Sequence, residues 1–246
     1  MKILVACEES QIVTEKFREL GAEAYSCDII PSSGSHPEWH LQGDVIPLLR
    51  VKWDAIIAFP PCTYLCSSGM HWTTRGLRDP QLTEDALDLV ESILDADCRC
   101  IALENPLGCI STRIRKYDQR IQPWQFGDDA SKSTCLWLKG LPKLQYTKII
   151  PPKLWKRVVW INPGSDEIGP NERGVEYIEI DNIRFGFRRE YGGYVPKPIW
   201  GNQTYSGQNN ASPTEDRDMI RSKTYEGIAS AMASQWIKVI SIWSTA

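Results

Sequence analysis

The sequence predicts an α/β protein in which a mostly parallel sheet is covered on both faces. Three observations carry that expectation. Short, fully apolar runs recur at Ile3-Leu4-Val5-Ala6, Ala55-Ile56-Ile57-Ala58 and Ile101-Ala102-Leu103, and runs without polar alternation belong to strands buried on both sides. Stretches of helical apolar spacing lie between them, and strands alternating with helices argue for parallel pairing through crossovers. The composition agrees: 246 residues with 42% hydrophobic and 24% charged content suit a folded chain with one large core and a small appendage.

The elements follow in order. Residues 2–7 read as the first strand. After the turn Glu8-Glu9-Ser10, the positions Ile12, Val13, Phe17 and Leu20 define a helix that Gly21 stops. Residues 22–27 lead to Asp28 at a second strand end, Gly43-Asp44-Val45 marks a third turn, and 54–59 is a fourth strand. Residues 63–80, rich in Ser, Thr, Gly and Arg, read as a long loop. Leu82, Leu87, Val90, Ile93 and Leu94 then make an amphipathic helix, and 99–103 a fifth strand. Beyond Asn105 the alternation loosens. Thr134-Cys135-Leu136-Trp137-Leu138 suits one more core strand, and Ile228, Met232, Trp236 and Ile240 define a C-terminal helix. From about Tyr146 to Asn210 the chain turns to Pro, Gly, Asn and Tyr, with a hairpin expected around Tyr177–Phe187. The expected organisation is an α/β domain over 1–145, completed by 211–246, with a small irregular or β insert over 146–210.

No apolar run approaches the roughly 20 residues that span a bilayer. Ile3-Leu4-Val5-Ala6 is too short for a secretory signal, so a cytoplasmic protein with reduced thiols is expected. None of the eight cysteines has good zinc spacing. Cys62 and Cys66 have no second pair to complete a metal set, and no metal is expected. The net charge of −3 is unevenly spread: residues 1–104 carry 8 Lys/Arg against 17 Asp/Glu, and residues 105–165 carry 11 against 3. So long a basic run without balancing acids suits a phosphate backbone better than a merely solvated surface.

Two loops carry the chemistry. Phe59-Pro60-Pro61-Cys62 follows the fourth strand, and Glu104-Asn105-Pro106 follows the fifth. The two prolines fix backbone angles, giving Cys62 a stiff mount. A thiol at such a strand end is either a nucleophile for an electron-poor ring or an inert buried cysteine. Glu104 shifts that balance. A partly buried carboxyl at the next strand end should have a raised pKa and could donate a proton to the ring that a thiol attacks. Asp28, 20 residues after Glu8 at a strand end, can accept hydrogen bonds from ribose hydroxyls, and Asp44 can contact an adenine amino group.

These residues resemble the DNA cytosine-5 methyltransferases, in particular short, phage-type members. Phe59-Pro60-Pro61-Cys62 is similar to that family's proline–cysteine motif, and Leu103-Glu104-Asn105-Pro106 to its Glu-Asn-Val motif. Arg221-Ser222-Lys223-Thr224-Tyr225 resembles its last motif. The resemblance covers residues 1–110 well, 130–145 and 220–240 fairly, and 146–210 not at all. It implies a Rossmann-like sheet binding S-adenosylmethionine (SAM), with 146–210 as a small target-recognition insert. Cys62 would attack C6 of a cytosine flipped out of DNA, Glu104 would interact with N3, and Asn105 would position the cysteine loop. The cofactor would be held by Cys7, Glu8 and Ser10 of the first turn, Asp28 and Ile29, Asp44 and Val45, Phe59 and Pro61, and Ser222. Lys132, with Thr134, would stand where the family contacts the base through paired arginines. The sequence departs from the family at the first turn, Cys7-Glu8-Glu9-Ser10-Gln11, which has no glycine. Three alternatives stay open. The first is a free nucleotide or RNA as substrate, of which the basic middle third argues against the nucleotide but does not separate RNA from DNA. The other two change the chemistry. One is an amino-methyltransferase acting on DNA, with Phe59-Pro60-Pro61-Cys62 as a degenerate Asp-Pro-Pro-Tyr motif. The other is an inactive DNA-binding or decoy protein that keeps the fold.

Overall fold

The computed structural model describes residues 1–152, 154–161, 176–180, 183–187, 193–203 and 223–244, with side chains described outside 153–199. They fall into two compact units: Met1–Asp128 with Lys132–Ile150 and Thr214–Ala246, and Asp129–Ser131 with Pro151–Pro213.

The first unit is α/β and Rossmann-like. Strands β1 (Lys2–Ala6), β2 (Glu23–Asp28), β3 (His40–Gln42), β4 (Ala55–Ala58), β5 (Cys100–Pro106), β6 (Gln119–Ile121) and β7 (Thr134–Lys139) form one sheet in the order β3-β2-β1-β4-β5-β7-β6. The first five pair in parallel, and β7 runs against both β5 and β6. The apolar runs explain this burial. Alternate residues of each strand point to opposite faces, so Ile3, Val5, Ala55, Ile57 and Ala102 enter one core while Leu4, Ala6, Ile56, Ala58 and Leu103 enter the other.

Helices α1 (Ile12–Glu19) and α5 (Glu226–Ser244) cover the first face through Val13, Phe17, Ile228, Met232, Trp236 and Ile240. Helix α3 (Gln81–Leu94) covers the second through Leu87, Val90 and Ile93. Each large side chain removed from water stabilises the fold by roughly 1.5–3 kcal/mol. Helix α5 is tied down at its start and midway along its buried stripe. The Asp128 carboxylate accepts the Gly227 N–H (3.0 Å), and the Trp236 indole donates to the Pro142 carbonyl (2.9 Å).

The sequence reading of 63–80 as a loop needs correction, because Ser67–Thr74 forms helix α2. Its sequence, Ser-Ser-Gly-Met-His-Trp-Thr-Thr, has weak helix formers and no apolar stripe, and Gly69 is its buried residue. A short helix, α4 (Ile110–Arg113), follows β5. Among the described residues, no helix is long and apolar enough to cross a membrane.

In the second unit β8 (Leu154–Ile161) pairs antiparallel with β11 (Gly193–Ile199), with a register shift between Val195 and Pro196. The hairpin expected at Tyr177–Phe187 is the antiparallel pair β9 (Glu176–Ile180) and β10 (Ile183–Phe187). After β11, Asn202 exchanges two hydrogen bonds with the Ser131 backbone, each 3.0 Å.

Strand order places the functional region. From β1 the sheet grows one way through β2 and β3 and the other way through β4 and β5. At such a reversal the loops leave the strand ends in opposite directions and open a crevice, where open α/β sheets bind ligands. Here the crevice lies between the turn after β1 and the loop after β4.

Candidate active site

The turn after β1 achieves without glycine what glycine would make easy. Cys7 (φ 58°) and Gln11 (φ 61°) both adopt the left-handed region, at a cost of roughly 1–2 kcal/mol each. Side-chain hydrogen bonds hold them there. The buried Glu8 carboxylate accepts the Val13 N–H (2.7 Å), the Thr14 N–H (3.2 Å) and the Thr14 hydroxyl (2.7 Å), capping α1. The Gln11 amide, fully buried, donates to the His36 carbonyl (2.8 Å) and accepts the His36 N–H (3.1 Å). The Glu9 carbonyl accepts the Ser32 hydroxyl (2.9 Å) and the Ser33 N–H (3.0 Å). Of the turn residues expected at a cofactor, Glu8 is therefore committed to the helix start and Ser10 is half-buried.

Burial raises the Glu8 carboxyl to about 7, against the opposing pull of its Thr14 and Val13 hydrogen bonds. The folded state then binds a proton more tightly than the unfolded chain, whose carboxyl has the ordinary value of 4.5. The stability this group supplies is full below that value and is lost as pH rises through about 7. The expected size is roughly 3 kcal/mol. Urea unfolding at pH 5 and pH 8 checks it: the wild type should lose stability between the two relative to Glu8→Gln, and parallel behaviour would show that Glu8 stays ionised throughout.

At the end of β2 the Asp28 carbonyl accepts the Gly43 N–H (2.8 Å), which brings the Asp44 turn alongside. Each carboxylate closes its own turn with Oδ1, Asp28 on the Ile30 N–H (3.2 Å) and Asp44 on the Ile46 N–H (3.0 Å). Among the described residues neither Oδ2 takes a hydrogen bond. Between them in the chain Ile29 is 73% exposed, a large apolar side chain left facing solvent. Burial first, then the charges of Asp28, Cys27 and Asp44, push the Cys7 thiol up to about 12. Cys7, Asp28 and Asp44 thus share one neighbourhood, whereas Val45 is buried in the core. Two carboxylate oxygens beside an exposed aliphatic surface suit a ligand with hydroxyls and a flat ring.

Across the crevice the cysteine loop is anchored strand by strand. The Phe59 N–H donates to the Ala6 carbonyl (2.9 Å), tying its start to β1. The Asn105 side chain, 1% exposed, donates to the Pro60 carbonyl (2.7 Å) and ties it to β5. The Cys62 carbonyl accepts the Leu65 (3.0 Å) and Cys66 (2.9 Å) N–H groups, so the chain turns helically into α2. Further on, Ser67 N–H donates to the Leu107 carbonyl (3.1 Å) and Cys109 N–H to the Leu65 carbonyl (2.9 Å). The loops after β4 and β5 are therefore one hydrogen-bonded body.

Gly108 permits that contact. A Cβ there would lie 1.9 Å from the Leu65 carbonyl oxygen and 2.7 Å from the Cys66 Cα, both backbone atoms. Gly108→Ala must push the cysteine loop aside, and a displacement of that order costs an enzyme about 100-fold. Turnover is expected to fall by at least that factor while the melting curve stays cooperative. Unchanged turnover would mean that the loop pairing does not set the chemistry.

Glu104 lies in β5 one residue beyond Leu103, which pairs with Ala58 of β4. Its charge acts directly on Cys62. The Cys62 thiol is pushed far above its ordinary value, first by the neighbouring Cys66 thiol, then by burial and the charge of Glu104, while Lys132 pulls it down. Cys62, Glu104 and Lys132 thus occupy one electrostatic neighbourhood. Thr134 is buried and pairs with Pro106 and Ile121, so it helps position the strand that follows Lys132. Phe59 packs against the core, Pro61 is exposed, and Ser222 lies outside the described residues.

The basic segment is partly consumed within the fold. Arg113 pairs with Glu84 (2.8 Å), Arg115 with Asp118 (2.8 Å), and Lys139 donates to the Ala96 carbonyl (3.0 Å). Lys116, Arg120, Lys143 and Lys148 are exposed. Sequence reasoning considered Cys66 only as half of a metal pair. The signal that could have found its place beside Cys62 is their four-residue spacing, which a helical turn brings together.

No protein-family model matches the chain, and no curated protein matches it. Among solved structures, the chain is similar to a prophage-encoded Escherichia coli protein described as a DNA modification methyltransferase, with 15% identity and a TM-score of 0.40. The match covers 69% of this chain and 62% of that one, so the chain spans about three fifths of that protein's length. A likeness of this size assigns neither activity nor substrate.

Proposed function

We propose that this protein is a SAM-dependent methyltransferase that methylates C5 of cytosine in DNA through a covalent Cys62 adduct. One observation carries the reading: Cys62 and Glu104 stand on adjacent strand ends, locked together by the Asn105–Pro60 bond and within reach of each other's charge. Across the topological switch point, Asp28, Ile29 and Asp44 suit the ribose and adenine of the cofactor, and Phe59 and Pro61, in the loop that carries the cysteine, suit the wall of its pocket. When bound, SAM supplies the methyl group. The protein supplies the rest. The Cys62 sulfur adds to C6, Glu104 delivers a proton at N3, and the electron density gathers at C5, where the ring can be alkylated. Loss of the C5 proton then lets the C6–S bond break and frees Cys62. Lys132 offsets negative charge beside the thiol, and exposed Lys116, Arg120, Lys143 and Lys148 suit a phosphate backbone. The insert over 146–210 is the candidate target reader.

Amino-methylation of DNA is the second reading, favoured by the high proton affinity of the Cys62 thiol, since that chemistry needs no thiolate. SAM-dependent tritium transfer to unmethylated DNA of mixed sequence, followed by bisulfite mapping, separates the two. Label that protects cytosines from bisulfite conversion supports C5 methylation. Label on exocyclic amino groups would replace it with the second reading, and no SAM binding by calorimetry would leave a decoy.

A further inference from the structure

We propose that His40 is a positioning residue of the cofactor pocket, clamping the Asp28–Ile30 turn in the shape that the ribose and adenine meet. The inference rests on the SAM-binding reading above. In the sheet His40 of β3 pairs with Ser26 of β2 and Gln42 with Asp28, so His40 and Gln42 share one face. Both reach the turn after β2. The His40 Nε2 lies 3.0 Å from the Ile30 carbonyl oxygen, and the Gln42 amide donates to the Ile29 carbonyl (3.4 Å). The Asp28 carboxylate accepts the Ile30 N–H (3.2 Å). Side chains of β2 and β3 thus hold this turn by its backbone, while the Ile29 side chain stays exposed.

The partners fix the state of the ring. A carbonyl oxygen only accepts, so the His40 proton sits on Nε2. In the neutral ring Nδ1 then accepts, and the Ser26 hydroxyl, 2.9 Å away, donates to it. The Ser26 oxygen in turn accepts the buried Gln11 amide N–H (3.3 Å), and Gln11 holds the left-handed backbone of the first turn. One chain of hydrogen bonds therefore runs from the Ile30 carbonyl through His40 and Ser26 to Gln11, joining the turn after β2 to the turn after β1. Trp39, just before His40, stacks on the His36 ring (centroids 3.6 Å apart) and lies 4.2 Å from the Arg18 guanidinium, which steadies the start of β3. A turn held in place before the ligand arrives spares the ordering cost of binding, and that saving is what His40 contributes to cofactor affinity.

Two substitutions separate the contacts, because a glutamine amide can stand where Nε2 does and an asparagine amide where Nδ1 does. His40→Gln keeps the Ile30 contact and His40→Asn loses it. Calorimetry with SAM alone should show binding weakened about tenfold in His40→Asn, the scale of one hydrogen bond, and close to wild type in His40→Gln. In turnover the loss in His40→Asn should fall on the KM for SAM and not on kcat. Nitrogen-15 NMR of the free wild type at mildly alkaline pH should find the His40 proton on Nε2. Equal affinity in wild type and His40→Asn, equal weakening in both variants, or a proton on Nδ1 overturns the clamp. Where His40→Asn does not fold, Gln42→Ala decides at an exposed position: SAM binding weakened roughly threefold supports the clamp, and unchanged binding overturns it. A wild type that binds no SAM overturns the cofactor reading and with it the role of His40, whatever the NMR shows.

Discussion

Cys62→Ala is expected to lower methyl transfer by about 10⁴-fold or more, the scale on which enzymes lose activity when a covalent nucleophile is removed. The fold should survive. The Cys62 side chain is only half-buried, and the bonds that shape its loop come from the backbone carbonyls of Cys62 and Pro60, which alanine leaves in place. The expected change in stability is below about 1 kcal/mol. Turnover measured beside a melting curve separates the two effects. Retained turnover would point to transfer onto an amino group, which needs no sulfur.

Glu104→Gln is expected to slow turnover by about 10²- to 10⁴-fold, the range for removing a positioned general acid. Glutamine keeps the shape and can still touch N3 of the ring, but it has no acidic proton to give. The backbone of Glu104 pairs with Leu136 in the sheet, while among the described residues its carboxylate takes no hydrogen bond. The substitution should therefore leave stability and the KM for DNA nearly unchanged and fall on kcat. A loss confined to KM would make Glu104 a binding residue. A lowered melting temperature would make it a structural one.

The fold was legible where the sequence is periodic. The spacing of Val13 and Phe17, and of Leu87, Val90 and Ile93, marks α1 and α3, because a helix buries every third or fourth residue. The unbroken apolar runs at Ile3–Ala6 and Ala55–Ala58 mark strands covered on both faces. Strand order was not legible. It depends on which edge each crossover takes, and nothing local in Thr134–Lys139 says that it inserts antiparallel between β5 and β6.

The first turn shows another limit. Reading glycine as the mark of left-handed backbone missed that Gln11 can hold the same geometry with its own buried amide bonds. Cys62 and Glu104 stood out because each ends an apolar run and strand ends gather ligands. Asn105 could be placed beside them only through the family resemblance, and the structure supplies the physical reason, its bond to the Pro60 carbonyl. Gly108 was invisible as a partner of that loop, since its proximity exists only once the connections after β4 and β5 pair.

The most direct measurement is mass spectrometry of the protein after incubation with SAM and DNA carrying 5-fluorocytosine, followed by denaturation and digestion. Fluorine cannot leave C5 as a proton does, so a covalent attack should leave the methylated nucleotide bonded to the peptide that contains Cys62. That adduct is the expected result, absent without SAM and absent in Cys62→Ala. DNA that acquires methyl groups while every Cys62 peptide is recovered unmodified would contradict a mechanism through this sulfur.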